Sequence, residues 1–343
     1  MASNVNRRWI LSRRPDGRVA ASDFSWAESS VPAPKDGEIL LRNLWLSMNP
    51  TQVLFANGDA GAYSIPIGEV MRCTAASRVV ESRVPGFEAG DLVQGWSGWE
   101  DYSLTNGLGP TPADFHLRKV PPGTPLNMAL GTFGATGMAA YFGVVDVGRP
   151  KPGETFVVDS AAGGVGSVAG QIARILGCRV IGITSGRERC EWLRKELRFD
   201  EVIDRQTEEV EAQLNQACPD GIDIFFFNSG VAPVLDAALA RLRRFGRVVL
   251  CGGTSSYLAK ESPPGPKRYL ALIMRHGRME GVLHWDFVDR YEEARAAIEG
   301  WIRAREFISP EDVLSGLERA PEALNRVFSG SNRGKQLLKI AES

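Results

Sequence analysis

The segment Val157-Val158-Asp159-Ser160-Ala161-Ala162-Gly163-Gly164-Val165-Gly166-Ser167 joins a short apolar run to a helical pattern through small residues. Small residues at such a turn let the backbone approach a phosphate closely. Gly163 and Gly166 remove Cβ atoms where turn and helix would collide. A helix that opens there presents free N–H groups and a partial positive charge to an anion. A ligand-free Gly/Ala-rich turn has the same composition, but the strand–turn–helix setting favours a dinucleotide.

The next strand tip separates the two common dinucleotides. A ribose 2′-hydroxyl is usually held by Asp or Glu ~20 residues after the first glycine. Here the run Ile181-Gly182-Ile183-Thr184-Ser185-Gly186-Arg187-Glu188-Arg189 has no acid at the tip, and a hydroxyl and two arginines follow. A planar guanidinium grips phosphate well, so Ser185, Arg189 and also Arg205 favour the 2′-phosphate of NADP. Taken singly, Arg187, Arg189 and Arg205 read as solvated charges; the missing acid gives them weight.

Other chemistries find less support. The 3 histidines (His116, His276, His284) are scattered, and none of the 5 cysteines (Cys73, Cys178, Cys190, Cys218, Cys251) stands in a Cys-x-x-Cys pair. A catalytic zinc needs three such ligands around an open position, so no metal is expected. No Gly-x-Ser-x-Gly elbow supports a hydrolase. With 343 residues and a formal net charge of −1, the chain offers no global attraction to nucleic acid or anionic lipid. No apolar run reaches the ~18 residues of a membrane span. The stretch from Met1 to Trp9 lacks a signal peptide's apolar core, and unpaired cysteines suit a reducing compartment, so a cytoplasmic protein is expected.

The elements that must position these residues fall into two styles. The first ~130 residues are β-rich, with strands expected at Glu38 to Leu44, Ala76 to Glu81 and Asp91 to Gly95, set between turn signals such as Pro85-Gly86. From Pro150-Lys151-Pro152-Gly153 onward, strands alternate with helices. Strands are expected at 155–159, 179–184, 202–203, 222–227 and 247–251. Helices are expected at 167–176, 187–197, 210–218 and 234–242. That alternation argues for right-handed βαβ units in a doubly wound parallel sheet. The end of the chain reads as two short helical patterns and a strand, Gln336 to Ile340.

Together these motifs resemble the zinc-independent medium-chain dehydrogenase/reductase family. Within it the chain is similar to the branch of leukotriene B4 12-hydroxydehydrogenase/prostaglandin reductase, plant alkenal double-bond reductase and bacterial curcumin reductase. The resemblance rests on Leu44-Trp45-Leu46-Ser47-Met48-Asn49-Pro50, Gly68-Glu69-Val70-Met71-Arg72 and Pro85-Gly86-Phe87-Glu88-Ala89-Gly90-Asp91. It continues through Ala140-Tyr141-Phe142-Gly143, the glycine loop, Cys190-Glu191-Trp192-Leu193 and Ala217-Cys218-Pro219-Asp220-Gly221. Phe245-Gly246-Arg247, Met279-Glu280-Gly281 and Gly330-Ser331-Asn332-Arg333-Gly334-Lys335 complete it.

The resemblance implies an α/β fold in which a Rossmann doubly wound sheet is inserted in a GroES-like β-barrel domain. It implies a substrate domain at 1–128, an NADP-binding domain at 129–307 and a C-terminal segment at 308–343 that returns to the first. NADPH would reduce the double bond of an α,β-unsaturated ketone or aldehyde, in a homodimer. The phosphate loop falls on Gly163, Gly164, Val165 and Gly166, and the 2′-phosphate on Ser185, Arg189 and Arg205. Cys251, Gly252, Ser255 and Tyr257 fall in the segment beside the nicotinamide and Asn332 near it; Asn228, after the fourth strand, and Leu283 are further cofactor-binding positions. Hydride would go to the β-carbon, and a hydrogen-bond donor would stabilise the enolate oxygen. Tyr257 is the candidate donor. Tyr63, in the loop Gly58-Asp59-Ala60-Gly61-Ala62-Tyr63, is a second catalytic candidate, and His284 a third possible donor.

Pocket positions depart from the branch. Its usual Asp-Pro-Tyr-Met-Arg is Asn49-Pro50-Thr51-Gln52-Val53, and its Asp-Asn-Val-Gly-Gly is Phe227-Asn228-Ser229-Gly230-Val231. His284-Trp285 replaces an aliphatic pair. An unusual substrate, such as a specialised biosynthetic intermediate, fits that pattern. Quinone reduction and non-catalytic NADPH binding stay open as alternatives.

Overall fold

The computed structural model describes residues 5–110, 115–206, 209–259, 261 and 264–342. The start of the signal-peptide reading, residues 1–4, lies outside them. The chain divides into two compact units. One comprises Met1–Gly134, Glu311–Ser331 and Gln336–Ser343, the other Ala135–Pro310 and Asn332–Lys335.

The first unit is antiparallel. Its strands are β1 (Val5–Leu11), β2 (Phe24–Ser30), β3 (Ile39–Ser47), β4 (Arg72–Ser82), β5 (Leu92–Gly98), β6 (Tyr102–Thr105) and β7 (Arg118–Lys119). β1 and β2 form a separate pair. The main sheet centres on β3–β4–β5–β7, with β6 also paired to β3. Alternating burial is interrupted by a polar network inside this unit. Asn43 Nδ2 donates to Glu100 O (2.9 Å) and Ser103 Oγ (2.9 Å), while Ser77 (2.7 Å) and Ser97 (2.8 Å) donate to its Oδ1. Each buried polar atom of that asparagine is thereby satisfied, which a low-dielectric interior demands.

The second unit is a parallel sheet. It contains β8 (Thr155–Val158), β9 (Arg179–Thr184), β10 (Glu201–Asp204), β11 (Ile222–Phe227), β12 (Leu242–Leu250) and β13 (Arg278–Gly281), in the order β10-β9-β8-β11-β12-β13. The strand order reverses between β8 and β11, the place where a doubly wound sheet leaves a crevice at its carboxyl edge. Val157, Ile181, Ile183, Phe225 and Val248 pack into one apolar core under the covering helices. Burial on both faces explains the nearly continuous apolar runs of β8 and β11. Two further strands, β14 (Glu311–Ser315) and β15 (Lys335–Lys339), extend the antiparallel sheet beside β3. The fold class is the expected one.

Three local expectations change. The helix after β8 spans Gly164–Ile175, not 167–176. Its first turn contains Gly164 and Gly166, whose poor helix propensity is overridden by the close packing that only glycine permits. The helix expected at 234–242 spans Ala232–Ala240, and Leu242 already opens β12. β14 is polar and half exposed at a sheet edge, so no apolar alternation marked it.

Candidate functional site

The glycine loop forms a tight cradle. Ser160 turns the chain with a left-handed φ of +48°, and Gly163 N donates to Ser160 O at 2.8 Å. A Cβ on Gly166 would lie 2.4 Å from Ser160 O and 2.9 Å from Ala161 Cα, both backbone atoms, so no side chain fits there. Gly163, Gly164 and Val165 are half-buried and open the helix, leaving its first N–H groups for an anion. The segment Asn332–Lys335 lies against this loop. Gly334 N donates to Ala162 O at 2.8 Å, and Asn332, 5% exposed, donates from Nδ2 to Gly334 O at 2.8 Å. Asn332 is therefore brought to the phosphate loop from more than 160 positions away in sequence.

Ser185, Arg189 and Arg205 also converge. Arg189 Nε donates to Ser185 O (2.8 Å) and Arg205 Nε to Ser185 Oγ (2.6 Å). Burial, and then the neighbouring Arg205 charge, pull Arg189 below the usual arginine value. Asp204 does not fill the gap: its Oδ1 accepts from the N–H groups of Gly186 (3.0 Å) and Gln206 (3.0 Å). Two guanidinium groups held on one serine, Arg189 by its carbonyl and Arg205 by its hydroxyl, fit a phosphate dianion. Arg187 is not part of this group; its exposed side chain pairs with Glu191 at 3.0 Å.

On the other side of the reversal point, the groups come from loops. A cavity of about 420 Å³ is lined by Leu250, Cys251, Gly252, Gly281, Val282, Leu283 and Asp286. Asn228 lies against it: a Cβ on Gly252 would come within 2.5 Å of Asn228 Oδ1. Ser255 N donates to Ser229 O at 2.7 Å, anchoring the loop that carries Tyr257. The Tyr257 hydroxyl accepts a long bond from Gly253 N (3.4 Å), and burial pushes its pKa up. Burial pushes the Cys251 thiol up to about 12, so it is a neutral liner rather than a nucleophile at ordinary pH.

Tyr63 sits in the first unit within an aromatic cluster. It stacks on Phe55 (5.7 Å between centroids) and meets Trp96 and Phe115 edge-on. His284 Nδ1 lies 2.5 Å from the Tyr291 hydroxyl. Among the described residues, no group of three or more His, Cys, Asp or Glu side chains could hold a metal ion. Two residues of this edge escaped the sequence reading. Asp286 carried no motif. Asp159 stood within the glycine-loop segment, and a lone acid ending an apolar strand was the available signal.

Comparison with known proteins agrees with this geometry. Residues 7–113 match the model for the N-terminal domain of oxidoreductase, and residues 164–299 match the model for zinc-binding dehydrogenase. The chain is 38% identical to the NADPH-dependent curcumin reductase of Escherichia coli over 98% of its own length and 97% of the relative's. It is 36% identical to the NADP-dependent 2-alkenal reductase of Nicotiana tabacum, over 99% of each chain. Among solved structures, CurA from Vibrio vulnificus in complex with NADPH superposes with a TM-score of 0.87 at 34% identity, over 98% of this chain and 100% of the other.

Proposed function

Because the chain belongs to the double-bond reductase branch of the zinc-independent medium-chain dehydrogenases/reductases, we propose that it is an NADPH-dependent oxidoreductase that saturates the carbon–carbon double bond of enones and enals. The observation that carries this reading is the phosphate-binding pair of sites on one sheet edge: the glycine loop at Gly163–Gly166, and the Ser185–Arg189–Arg205 cluster on the neighbouring strand tips.

NADPH, when bound, supplies a hydride for the β-carbon of the substrate. The chain's own residues bind and orient. Gly163 to Gly166 and the helix N-terminus take the pyrophosphate; Arg189 and Arg205 take the 2′-phosphate. Asn228, Cys251, Gly252, Leu283 and Asn332 border the nicotinamide. Negative charge that grows on the substrate's carbonyl oxygen needs a donor. Tyr257 serves, because its hydroxyl oxygen already accepts from Gly253 N and its raised pKa keeps the proton on oxygen. Water then protonates the α-carbon.

The same reading makes residues 1–128 the substrate domain, 129–307 the NADP-binding domain and 308–343 a segment that returns to the substrate domain while its Asn332 serves the cofactor. Its substrate is a specialised enone, given Asn49 to Val53 and His284-Trp285 at positions where the branch differs. It includes a cytoplasmic homodimer. Support for the dimer is the sheet edge β13 and the exposed Tyr269 (57%), Leu270 (55%), Ile273 (69%) and Met274 (78%).

The test is NADPH consumption over a panel of alkenals, alkenones, aryl enones and quinones, with products identified by mass and NADH as control. A saturated carbonyl product, lost in Tyr257→Phe, is the expected result. Turnover of quinones alone would replace the proposal with quinone reduction. NADPH binding without any turnover would favour a binding role.

A further inference from the structure

Asp159 is 1% exposed and follows β8 directly, at the point where the strand order reverses. Its Oδ1 accepts from the N–H groups of Asn228 (2.5 Å) and Ser229 (3.1 Å). Its Oδ2 accepts from Ser229 N–H (3.3 Å) and from the Ser229 hydroxyl. A buried carboxylate is costly, and burial pushes this one up to about 6 despite those bonds. A serine or an amide could have filled the space at lower cost, so the acid calls for a role.

The turn that Asp159 holds is the one on which the Cys251–Tyr257 loop rests. Ser229 O receives Ser255 N at 2.7 Å. Gly230 adopts a φ of +79°, and a Cβ there would lie 2.6 Å from Ser256 Oγ. Asn228 Oδ1 presses on Gly252 in the same way. The same Cβ on Gly230 would lie 3.0 Å from the Gly253 backbone, so from β11 to the loop only backbone and the short side chains of Asn228 and Ser256 are in contact, with no long side chain to absorb a shift. A displacement of the turn becomes a displacement of the loop.

We propose that Asp159 is a positioning residue, whose carboxylate sets the Asn228–Gly230 turn and thereby the Cys251–Tyr257 loop that borders the nicotinamide half of the cofactor. A carboxylate suits the task because it only accepts, and three donors converge on it. An amide would turn N–H groups toward the Ser229 oxygen, which already accepts from Val231 N at 3.1 Å. This inference rests on the reading that the sheet edge binds NADPH.

The experiment titrates two ligands, NADPH and adenosine 2′,5′-bisphosphate, into the full chain and its Asp159→Asn and Asp159→Ala variants. The bisphosphate reports the adenosine half alone. The expected result is that NADPH Kd rises about tenfold in Asp159→Asn and more in Asp159→Ala, while the bisphosphate Kd stays within about twofold. If Asp159→Ala does not fold, Asp159→Asn carries the test. Equal loss for both ligands would mean general damage and overturn the proposal, as would no loss for either. Arg205→Glu serves as the control for the underlying reading. If it leaves the bisphosphate Kd unchanged, the phosphate site is wrong and the inference falls with it. If it weakens the bisphosphate while the Asp159 variants bind NADPH normally, the inference alone falls.

Discussion

On the β9–β10 side of the parallel sheet, the groups offered to a ligand are charged side chains, Arg189 and Arg205, both hydrogen-bonded to Ser185. On the β11–β12 side they are mostly backbone and small residues, propped from beneath by a buried acid. The first region recognises charge, and a guanidinium tolerates small movements because its Coulombic attraction falls off slowly with distance. The second must place a ring and a hydroxyl to within fractions of an ångström. On the proposed reading, the side-chain anchors select the 2′-phosphate. Backbone packing is what orients the cofactor.

The largest expected effect tests the element both regions share. Gly166→Ala puts a Cβ 2.4 Å from Ser160 O, and backbone cannot swing aside as a side chain can. NADPH Kd should rise at least about 100-fold, measured by fluorescence titration, with secondary structure retained by circular dichroism. Wild-type affinity would show that the loop holds no phosphate.

Tyr257→Phe separates the two regions by kinetics. It should lower kcat about 100-fold, the scale of one lost oxyanion donor, with NADPH Kd nearly unchanged. A rise in KM at constant kcat would make Tyr257 a binding group instead.

Arg205→Glu acts on the other side. Reversing one of two clustered charges should cut the preference for NADPH over NADH about 30-fold, roughly 2 kcal/mol at a charge-assisted site. kcat at saturating NADPH should hold. An equal fall for both cofactors would deny the 2′-phosphate assignment.

The smallest effect is on pH dependence. Asp159 titrates near 6 in the folded protein, above the ordinary carboxylate value of 3.8, because burial disfavours its charge. Arg205 is the charged group that bears on it and opposes the rise, while the neighbouring Cys251 stays a neutral thiol. The ratio of NADPH to adenosine 2′,5′-bisphosphate affinity, taken at pH 8 and pH 5, should change several-fold more unfavourably for NADPH in the wild type than in Asp159→Asn. The 2′-phosphate, which titrates at about pH 6, is common to both ligands, and the bisphosphate's own 5′-phosphate moves the ratio equally in both proteins, so the difference between wild type and Asp159→Asn is the readout. The stability sign runs the opposite way. A raised carboxyl pKa means that the native state binds the proton more tightly, so the stabilisation is full below about pH 4 and is lost as pH rises through about 6. Urea denaturation at pH 8 should therefore find Asp159→Asn no less stable than wild type. A variant that is destabilised there would point to a purely structural carboxylate.

Much of the second unit was legible because its signals are local. The apolar runs at Val157-Val158 and Ile222 to Phe227, and the glycines at 163 to 166, announce strand and loop through residue type alone. Strand bounds at Arg179–Thr184 and Ile222–Phe227 match the expectation residue for residue. The helix start at Gly164 was missed, because glycine in a first turn reads as loop when the packing that forbids a Cβ is out of sight. β14 was missed because a polar edge strand has no periodicity to show. The convergence of Arg205 on Ser185 was anticipated from the absent acid, whereas the exclusion of Arg187 depended on which way a helix face turned.

By itself, the sequence determined the doubly wound sheet, the glycine loop and the preference for a 2′-phosphate, since each follows from residue types at short spacing, and it pointed to the family through a resemblance carried by motifs from Leu44 to Lys335. Tertiary structure alone decided that Gly334 bonds Ala162 and carries Asn332 with it, that Gly252 sits against Asn228, and that Asp159 holds Ser229. The Asp159–Ser229 contact joins residues 70 positions apart, and Gly334 bonds Ala162 from much farther along the chain. Their existence depends on strand order and on close packing between backbones, neither of which leaves a periodic trace along the chain.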